Sequence, residues 1–258
     1  MKRLVSKLAA AILAIGLTSA ASQAETLKVG IAAEPYPPFS VPDAQGNWHG
    51  WEIEFAKAAC EAAKLTCEIT PVAWDGIIPA LTSKKIDMIV ASMSITAERQ
   101  KTIDFTNKYY NTPTMVAGPK SLKFDATPEG LKGKVLGVQV STVHEAYAKK
   151  HFTDAEIKIY QTQDEANQDL VAGRIDAIQA DGIAIQDFIK TPEAQACCEI
   201  KGEVAEDLEV LGPGVGIGVR KGDTELKEKL NAAIAEIRKN GKYDEIAKKY
   251  FDFDIYGS

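Results

Sequence analysis

One internal repeat constrains the fold of this chain more than any other feature of its sequence. The segments LTSKKIDMIVAS (81–92) and LVAGRIDAIQAD (170–181) align without a gap and share a leucine, a basic residue, Ile-Asp and a short apolar run. The strand-like openings LKVGIAAE (27–34) and KVLGVQVST (134–142) resemble each other as well. Two copies of a strand–helix–strand unit predict two similar α/β lobes. Chance similarity of two ordinary units is the alternative, because few residues are identical.

The repeat also predicts where a ligand would bind. Ser92 and Asp181 occupy the same place in the two copies, just past an apolar strand. Ligands of open α/β sheets bind outside the carboxyl ends of the strands. We therefore expect both residues to line a cleft between the lobes.

The first 24 residues, MKRLVSKLAAAILAIGLTSAASQA, have the pattern of an export signal. Basic residues precede an apolar run from Leu8 to Leu17, and Ser22 and Ala24 supply the small residues of a cleavage site. The apolar run is too short to span a membrane. We expect an exported protein that is cleaved after Ala24.

The charge of the mature chain excludes some partners. Cleavage would remove three basic residues and no acid, which takes the formal charge from −6 to −9. An acidic chain is poorly suited to nucleic acid or to anionic membrane surfaces. The remaining 234 residues suffice for one large or two small domains.

Four cysteines fall into two groups. Cys60, near the end of the amphipathic helix WEIEFAKAACEAAK, and Cys67, which opens the strand-like CEITPVAW, have a spacing that suits a disulfide in an exported protein. Metal binding is the weaker interpretation, since no histidine or further cysteine lies nearby. Cys197 and Cys198 are adjacent in a polar segment predicted to be a loop, where a vicinal disulfide and two exposed thiols both remain open.

The C-terminal third contains a glycine-rich strand, GPGVGIGVRKGD, followed by an amphipathic helix and a second, shorter helix, KYDEIAKKYF. The apolar residues of the first helix keep helical spacing, from Leu226 to Ile237. The glycines match neither a dinucleotide fingerprint nor a phosphate loop, so no cofactor is predicted.

Several of these motifs together resemble one family, the periplasmic solute-binding proteins for polar amino acids that feed ABC importers. The motifs are YPPF, WEIEFAKAAC with Cys67, IIPALTSKKIDMIVASMSITAERQ, GVQVST, AGRIDA and IAKKYFDFDIYG. The sequence is most similar to the lysine/arginine/ornithine- and histidine-binding proteins. The resemblance covers essentially the whole mature chain.

The resemblance implies the fold and the partners. It implies the two-lobed, type II periplasmic-binding-protein fold of the α/β class, with two hinge crossings and the ligand in the interlobe cleft. Lobe one would comprise residues 25–113 and 207–258, lobe two residues 114–206, with hinge strands near PTMVAG and EDLEVLG. We expect a periplasmic monomer that needs no cofactor or metal, binds an amino acid and docks on an inner-membrane ABC permease.

The ligand site follows from the zwitterion that it must neutralise. Arg99 matches the carboxylate-binding arginine of the family and offers a planar charged fork. Thr142, where a strand turns into a helix, is expected to reach the same carboxylate. Asp181, the Ser92 carbonyl and the Ser94 hydroxyl are expected to receive the ammonium. A surface arginine, a plain N-cap and a turn aspartate are the alternatives for Arg99, Thr142 and Asp181.

The side chain of the ligand is predicted from aromatic residues. Tyr36 and Trp74 match aromatic positions of the family, and two facing rings would hold aliphatic methylenes and attract a cation. Trp51 is a further candidate for the border of this slot. Core packing is the alternative for all three rings. A cationic amino acid such as arginine, lysine or ornithine is therefore predicted, and a neutral polar amino acid or an opine is the alternative.

The sequence departs from the family at three positions near the expected slot. Ala33 stands where the family often has an acid, so the terminal charge of a cationic ligand must find Glu34, Asp75 or water. Val143 replaces a residue that is often polar, and Ala91 stands where close relatives have serine. These departures affect the side-chain pocket and leave the carboxylate and ammonium contacts unchanged.

Two other functions are known for proteins of this fold. Cyclohexadienyl dehydratases share this fold and need a carboxylic acid near the substrate, for which Glu34 is the one spare candidate. There is no Ser/His/Asp pattern, and His49, His144 and His151 are interpreted as surface or helix residues, so we expect no catalysis. A sensory module would carry an attached signalling region, which is not recognised in the sequence.

Overall fold

The computed structural model describes residues 26–257, so the predicted export signal lies outside the described residues. Within them the strands are β1 (Leu27–Ala32), β2 (Val41–Pro42), β3 (Trp48–His49), β4 (Cys67–Val72), β5 (Met88–Ile89), β6 (Ile103–Tyr110), β7 (Thr114–Pro119), β8 (Val135–Gln139), β9 (Glu156–Tyr160), β10 (Ala177–Asp181), β11 (Cys198–Glu203) and β12 (Val215–Arg220). The helices are α1 (Trp51–Ala62), α2 (Ile77–Thr82), α3 (Ala97–Gln100), α4 (Pro128–Leu131), α5 (Val143–His151), α6 (Gln163–Val171), α7 (Gly182–Ile189), α8 (Pro192–Cys197), α9 (Leu208–Leu211), α10 (Thr224–Lys239) and α11 (Lys242–Ala247), with a 3₁₀ turn at Trp74–Gly76.

Two five-stranded sheets of the same topology form the framework. The first has the strand order β4-β1-β5-β12-β6 and the second β9-β8-β10-β7-β11. In each sheet the first three strands are parallel, and the fourth runs antiparallel to both of its neighbours. The predicted pair of similar α/β lobes is thus confirmed.

The two copies of the repeat make the same hydrogen bonds. The Asp87 carboxylate accepts from the Lys28 backbone N–H at 2.9 Å, and the Asp176 carboxylate accepts from the Val135 N–H at 2.9 Å. Each bond ties the aspartate before a central strand to the neighbouring parallel strand. The Ile-Asp pair therefore has one structural role in both lobes.

Gly30 and Gly137 occupy equivalent places in the two copies. In each lobe the isoleucine of the Ile-Asp pair fills the space that a Cβ at the glycine would need. A Cβ at Gly30 would lie 2.2 Å from the Ile86 Cδ1, and one at Gly137 would lie 2.7 Å from the Ile175 Cδ1. Both distances are shorter than a van der Waals contact. The isoleucines, buried in both lobes, pack directly on the strand backbone.

The chain passes between the sheets twice, from β6 to β7 and from β11 to β12. The first crossing leads into β7, which covers the PTMVAG segment as expected. The expectation of a strand at EDLEVLG is wrong, because this segment contains the short helix α9. Asp207 caps this helix by accepting from the Val210 N–H at 3.3 Å, and Gly212, with a φ of 78°, ends it.

Helices α1, α10 and α11 pack together in the first lobe. The apolar residues predicted for α10, from Leu226 to Ile237, are buried. Cys60 of α1 and Cys67 of β4 form the predicted disulfide. This bond ties the end of the helix to the edge strand of the first sheet.

Cys197 and Cys198 also form a disulfide. The polar segment predicted a loop here, and this prediction is wrong. Cys197 ends α8, Cys198 begins β11, and Cys198 is buried in the core of the second lobe. Across residues 26–257, no helix has the length and apolar character that crossing a membrane requires.

Candidate functional site

A cavity of about 520 Å³ lies between the two sheets. Ser92, after β5, and Asp181, at the end of β10, both line it, as the repeat predicted. The sequence-predicted residues that line it are Glu34, Tyr36, Trp74, Ser92, Ser94, Arg99, Thr142 and Asp181. The remaining candidate, Trp51, does not.

Arg99 is held at the cavity by contacts from both lobes. It lies in α3, whose N-cap Thr96 accepts from the Arg99 N–H. Its guanidinium donates to the Ser94 carbonyl at 3.0 Å and to the Ser141 carbonyl at 3.4 Å, and lies 5.4 Å from the Trp74 ring centre. Burial lowers the pKa of Arg99 to about 10, so the side chain stays charged at neutral pH. The arginine is a fixed cation in the cavity wall.

Thr142 is the N-cap of α5, in the second lobe, and directly follows Ser141. Its hydroxyl accepts from the Glu145 N–H at 3.1 Å and donates to the Gln139 carbonyl at 2.8 Å. The start of a helix carries unsatisfied N–H groups and the positive end of the dipole. This end of the cavity, near Arg99, suits an anion.

Asp181 caps α7 and lines the cavity at once. Its carboxylate accepts from the Ile183 N–H at 2.8 Å and from the Thr112 hydroxyl. Burial raises the pKa of Asp181 to about 6. No cation of the protein is paired with it in the described residues, so a cationic ligand group would relieve the cost of its charge.

Glu52 is a lining residue that the sequence analysis missed. Its carboxylate accepts from the Ser92 N–H at 2.7 Å, the Ser92 hydroxyl at 3.0 Å and the Tyr109 hydroxyl. Burial raises the pKa of Glu52 to about 7. The sequence does contain a signal for this position. Glu52 lies on the same helical face as the apolar residues Phe55, Ala56 and Ala59, where an acid is rarely buried without a partner.

His144 is the second residue that was missed. It lies on α5, as the helix interpretation expected, yet it lines the cavity, and its Nδ1 is 3.3 Å from the Thr114 hydroxyl. Burial and the charge of Arg99 lower the pKa of His144 to about 3, so its ring is neutral at physiological pH. A lone histidine on a helix carries no sequence signal that distinguishes this position.

Trp51 packs in the core and does not border the slot. The first residue of α1, it is fully buried and stacks on Phe55 and Tyr109 at 5.6 and 6.0 Å between ring centres. The helix turns this position towards α11 and β6, away from the cavity.

The lining of the cavity carries more acidic than basic side chains. Glu34 accepts from the Trp74 N–H at 3.2 Å and lines the cavity, whereas Asp75, the other acid considered for a ligand cation, does not. Among the described residues that line the cavity, the acids are Glu34, Glu52, Asp181, Glu203 and Glu206, and Arg99 is the one cation. Within residues 26–257 there is no group of three or more histidine, cysteine or acidic side chains that could hold a metal ion.

Comparison with known proteins identifies a family model and relatives that match this chain along most or all of its length. The family model of bacterial extracellular solute-binding proteins, family 3, matches residues 27–253. An L-arginine-binding protein of Pseudomonas aeruginosa is 42% identical and a histidine-binding periplasmic protein of Salmonella typhimurium 40% identical, each over 100% of both chains. The chain thus resembles these relatives along its whole length.

Solved structures agree with the fold. An ancestral arginine-binding protein bound to arginine superposes with a TM-score of 0.80 at 38% identity, covering 88% of this chain and 98% of that one. An ancestral arginine-binding protein bound to glutamine has a TM-score of 0.79 at 38% identity, with the same coverage of both chains. A further ancestral amino acid-binding protein, a precursor of cyclohexadienyl dehydratase, has a TM-score of 0.77 at 32% identity, covering 88% and 95%.

Proposed function

Because this chain belongs to the bacterial extracellular solute-binding proteins of family 3, we propose that it binds one cationic L-amino acid between its lobes and delivers it to an ABC permease. Binding would close the lobes, and the closed form would dock on the permease at the inner membrane. The similarity to the histidine-binding periplasmic protein and the export-signal pattern of residues 1–24 support a periplasmic location. We propose the lobe boundaries predicted above, residues 25–113 with 207–258, and 114–206.

The observation that carries the proposal is the placement of Arg99 and Asp181. The two opposite charges belong to different lobes and face one cavity without pairing with each other. A zwitterion that fits between them would neutralise both. Since each charge is costly to bury alone, such a ligand would favour the closed state.

In this proposal each end of the amino acid has its own contacts. Arg99 and the start of α5, with Thr142, receive the carboxylate. Asp181, the Ser92 carbonyl and the Ser94 hydroxyl receive the ammonium.

The acid excess of the cavity favours a cationic ligand side chain. Tyr36 and Trp74 would contact its methylenes, with Glu34 as the nearest candidate for its terminal charge. The relatives named for arginine and histidine point the same way. Glutamine, which is bound in one solved neighbour, represents the neutral alternative, and an opine represents a larger one.

A competition series tests the ligand class. Labelled arginine is displaced by lysine, ornithine, histidine, glutamine and octopine in turn, after a thermal-shift panel of all amino acids. A ligand at 100 times its Kd raises the free energy of unfolding by about 2.7 kcal/mol. Absence of any thermal shift overturns amino-acid binding, and glutamine displacing better than every basic amino acid overturns the cationic side chain.

We also propose that the protein is not an enzyme. Glu34, the acid considered for dehydratase chemistry, already accepts the backbone N–H of Trp74 through both oxygens, at 3.2 and 3.3 Å. Incubation with prephenate and with arogenate tests this directly. Formation of the dehydrated aromatic product from either compound would overturn it.

A further inference from the structure

The buried carboxylate of Glu52 is joined to Ser92, one of the residues proposed to receive the ligand's ammonium. Glu52 is 1% exposed and lies in the first turn of α1. One carboxylate oxygen accepts from the Ser92 N–H at 2.7 Å, and the other accepts from the Ser92 hydroxyl at 3.0 Å. The Tyr109 hydroxyl donates a third bond. These donors are neutral, so the contacts orient the carboxylate without pairing its charge.

Ser92 has a backbone conformation that serine rarely adopts unaided. Its φ is +51°, in the left-handed region. Such a residue persists where its surroundings hold it, and it is often found at functional sites. Two hydrogen bonds, donated by its backbone N–H and its hydroxyl, fix Ser92 to the Glu52 carboxylate. They occupy both of its donors, so the backbone carbonyl and the hydroxyl oxygen of Ser92 can act only as acceptors.

We infer that Glu52 is a positioning residue of the ligand site, which holds Ser92 in the left-handed conformation that offers its carbonyl to the ligand's ammonium. The inference rests on the proposed function, because it concerns the same amino-acid site. It adds a second buried acid to the ammonium end, beside Asp181. Neither the resemblance nor the sequence pattern assigned this role to Glu52.

With Glu52 and Asp181 both at the ammonium end, ligand binding should be coupled to the release of protons. The titratable groups that face Glu52 are Asp181, Tyr36, Tyr109 and Tyr110. Burial raises the pKa of each tyrosine well above 10, so only the two carboxyls titrate near neutral pH. An incoming ammonium stabilises their charged forms, so binding near pH 6–7 releases protons.

The first test compares the same substitution at two sites on α1. Glu54 lies two residues after Glu52 but pairs with Lys249 and Tyr250, outside the cavity lining. By calorimetry with L-arginine, and with L-glutamine as a second probe, we expect E52Q to weaken binding at least ten-fold at pH 7.5. E54Q should stay within two-fold of wild type. Equal affinities for E52Q and wild type would overturn the inference.

A second set of variants separates positioning from a general structural role. Glycine adopts a positive φ without strain, whereas alanine does not. E52Q/S92G should therefore bind more tightly than E52Q/S92A, because glycine restores the backbone conformation without the glutamate. The opposite order, in variants with wild-type circular dichroism, would overturn the inference.

Two further readouts distinguish its failure from failure of the proposed function. The amide proton resonance of Ser92 in ligand-free protein should titrate with Glu52 in wild type and shift upfield in E52Q. In calorimetry with buffers of different ionisation enthalpy, E52Q should release fewer protons on binding L-arginine than wild type. If wild type binds no amino acid, the proposed function fails, and the Ser92 resonance still decides the Glu52 contact. An unmoved resonance overturns the contact whether or not an amino acid binds.

Discussion

The Trp74 indole N–H donates to the Val140 carbonyl oxygen across the cleft, over 3.1 Å. Trp74 lies before α2 in the first lobe, and Val140 follows β8 in the second. The Arg99 guanidinium makes a second bridge, to the carbonyl of neighbouring Ser141. On this side of the cleft, two side chains of the first lobe thus donate hydrogen bonds to backbone carbonyls of the second.

W74F tests this bridge. Phenylalanine keeps an aromatic face for Arg99 and for the ligand but loses the N–H donor. A neutral hydrogen bond contributes about 0.5–1.5 kcal/mol, so we expect affinity to fall about two- to ten-fold. W48F, in the β2–β3 hairpin and outside the cavity lining, is the matched control. Affinity of W74F equal to that of W48F would contradict a role in closure.

R99K and D181N test the two ends of the zwitterion site. Lysine keeps the charge of Arg99 but loses the planar fork, and asparagine keeps a capping oxygen for the Ile183 N–H but loses the charge. Breaking a buried pair costs about 3–5 kcal/mol, so D181N should weaken binding by a factor of about a hundred to several thousand. Circular dichroism should match wild type. Near-wild-type affinity of either variant in calorimetry would show that the residue does not bind the ligand.

The affinity should depend on pH through Asp181. Its pKa is raised to about 6 in the ligand-free protein by burial, and an ammonium beside it requires the charged form. We expect affinity to fall as the pH drops through the pKa values of Glu52 and Asp181, about 7 and about 6. D181N should lose the part of this fall that comes from Asp181 and keep the part that comes from Glu52. A flat profile from pH 7 to pH 4.5 in wild type would contradict an ammonium at Asp181.

Glu52 should contribute more to the stability of the ligand-free protein in mild acid than at neutral pH. The pKa of Glu52 rises from 4.5 to about 7 on folding, so the folded state binds more protons between these values and its stability falls as the pH rises. The contribution of this carboxyl to the free energy of unfolding is about 3 kcal/mol larger below pH 4.5 than above pH 7. Urea unfolding of E52Q and wild type at pH 5 and pH 8 measures it. The advantage of E52Q over wild type should grow with pH.

Removal of the Cys60–Cys67 disulfide tests the staple between α1 and β4. The bond closes a loop with a sequence separation of 7, for which the chain-entropy model gives about 2–3 kcal/mol. We expect C60S/C67S to lose about this free energy of unfolding in urea. Neither cysteine lines the cavity, so the affinity for the ligand at low temperature should be unchanged.

Much of the fold followed from local pattern. The repeat placed Asp87 and Asp176 at the same point of two similar sheets, because a strand–helix–strand unit is encoded within one stretch of sequence. The apolar spacing of α10 and the pairing of Cys60 with Cys67 are local in the same sense. Ser92 and Asp181 could be assigned to the cleft because each follows an apolar strand.

Tertiary structure alone decided the rest, since those contacts join distant segments. Helical spacing shows that Trp51 and Glu52 are buried, but not that one packs in the aromatic core while the other reaches Ser92, 40 residues away. His144 has no distinguishing local pattern, and only the approach of β7 brings Thr114 to its ring. The sequence by itself determined two lobes and the charges at their strand ends. Which buried groups meet between the lobes depended on side-chain packing, because a one-dimensional pattern records which face is apolar and not what lies against it.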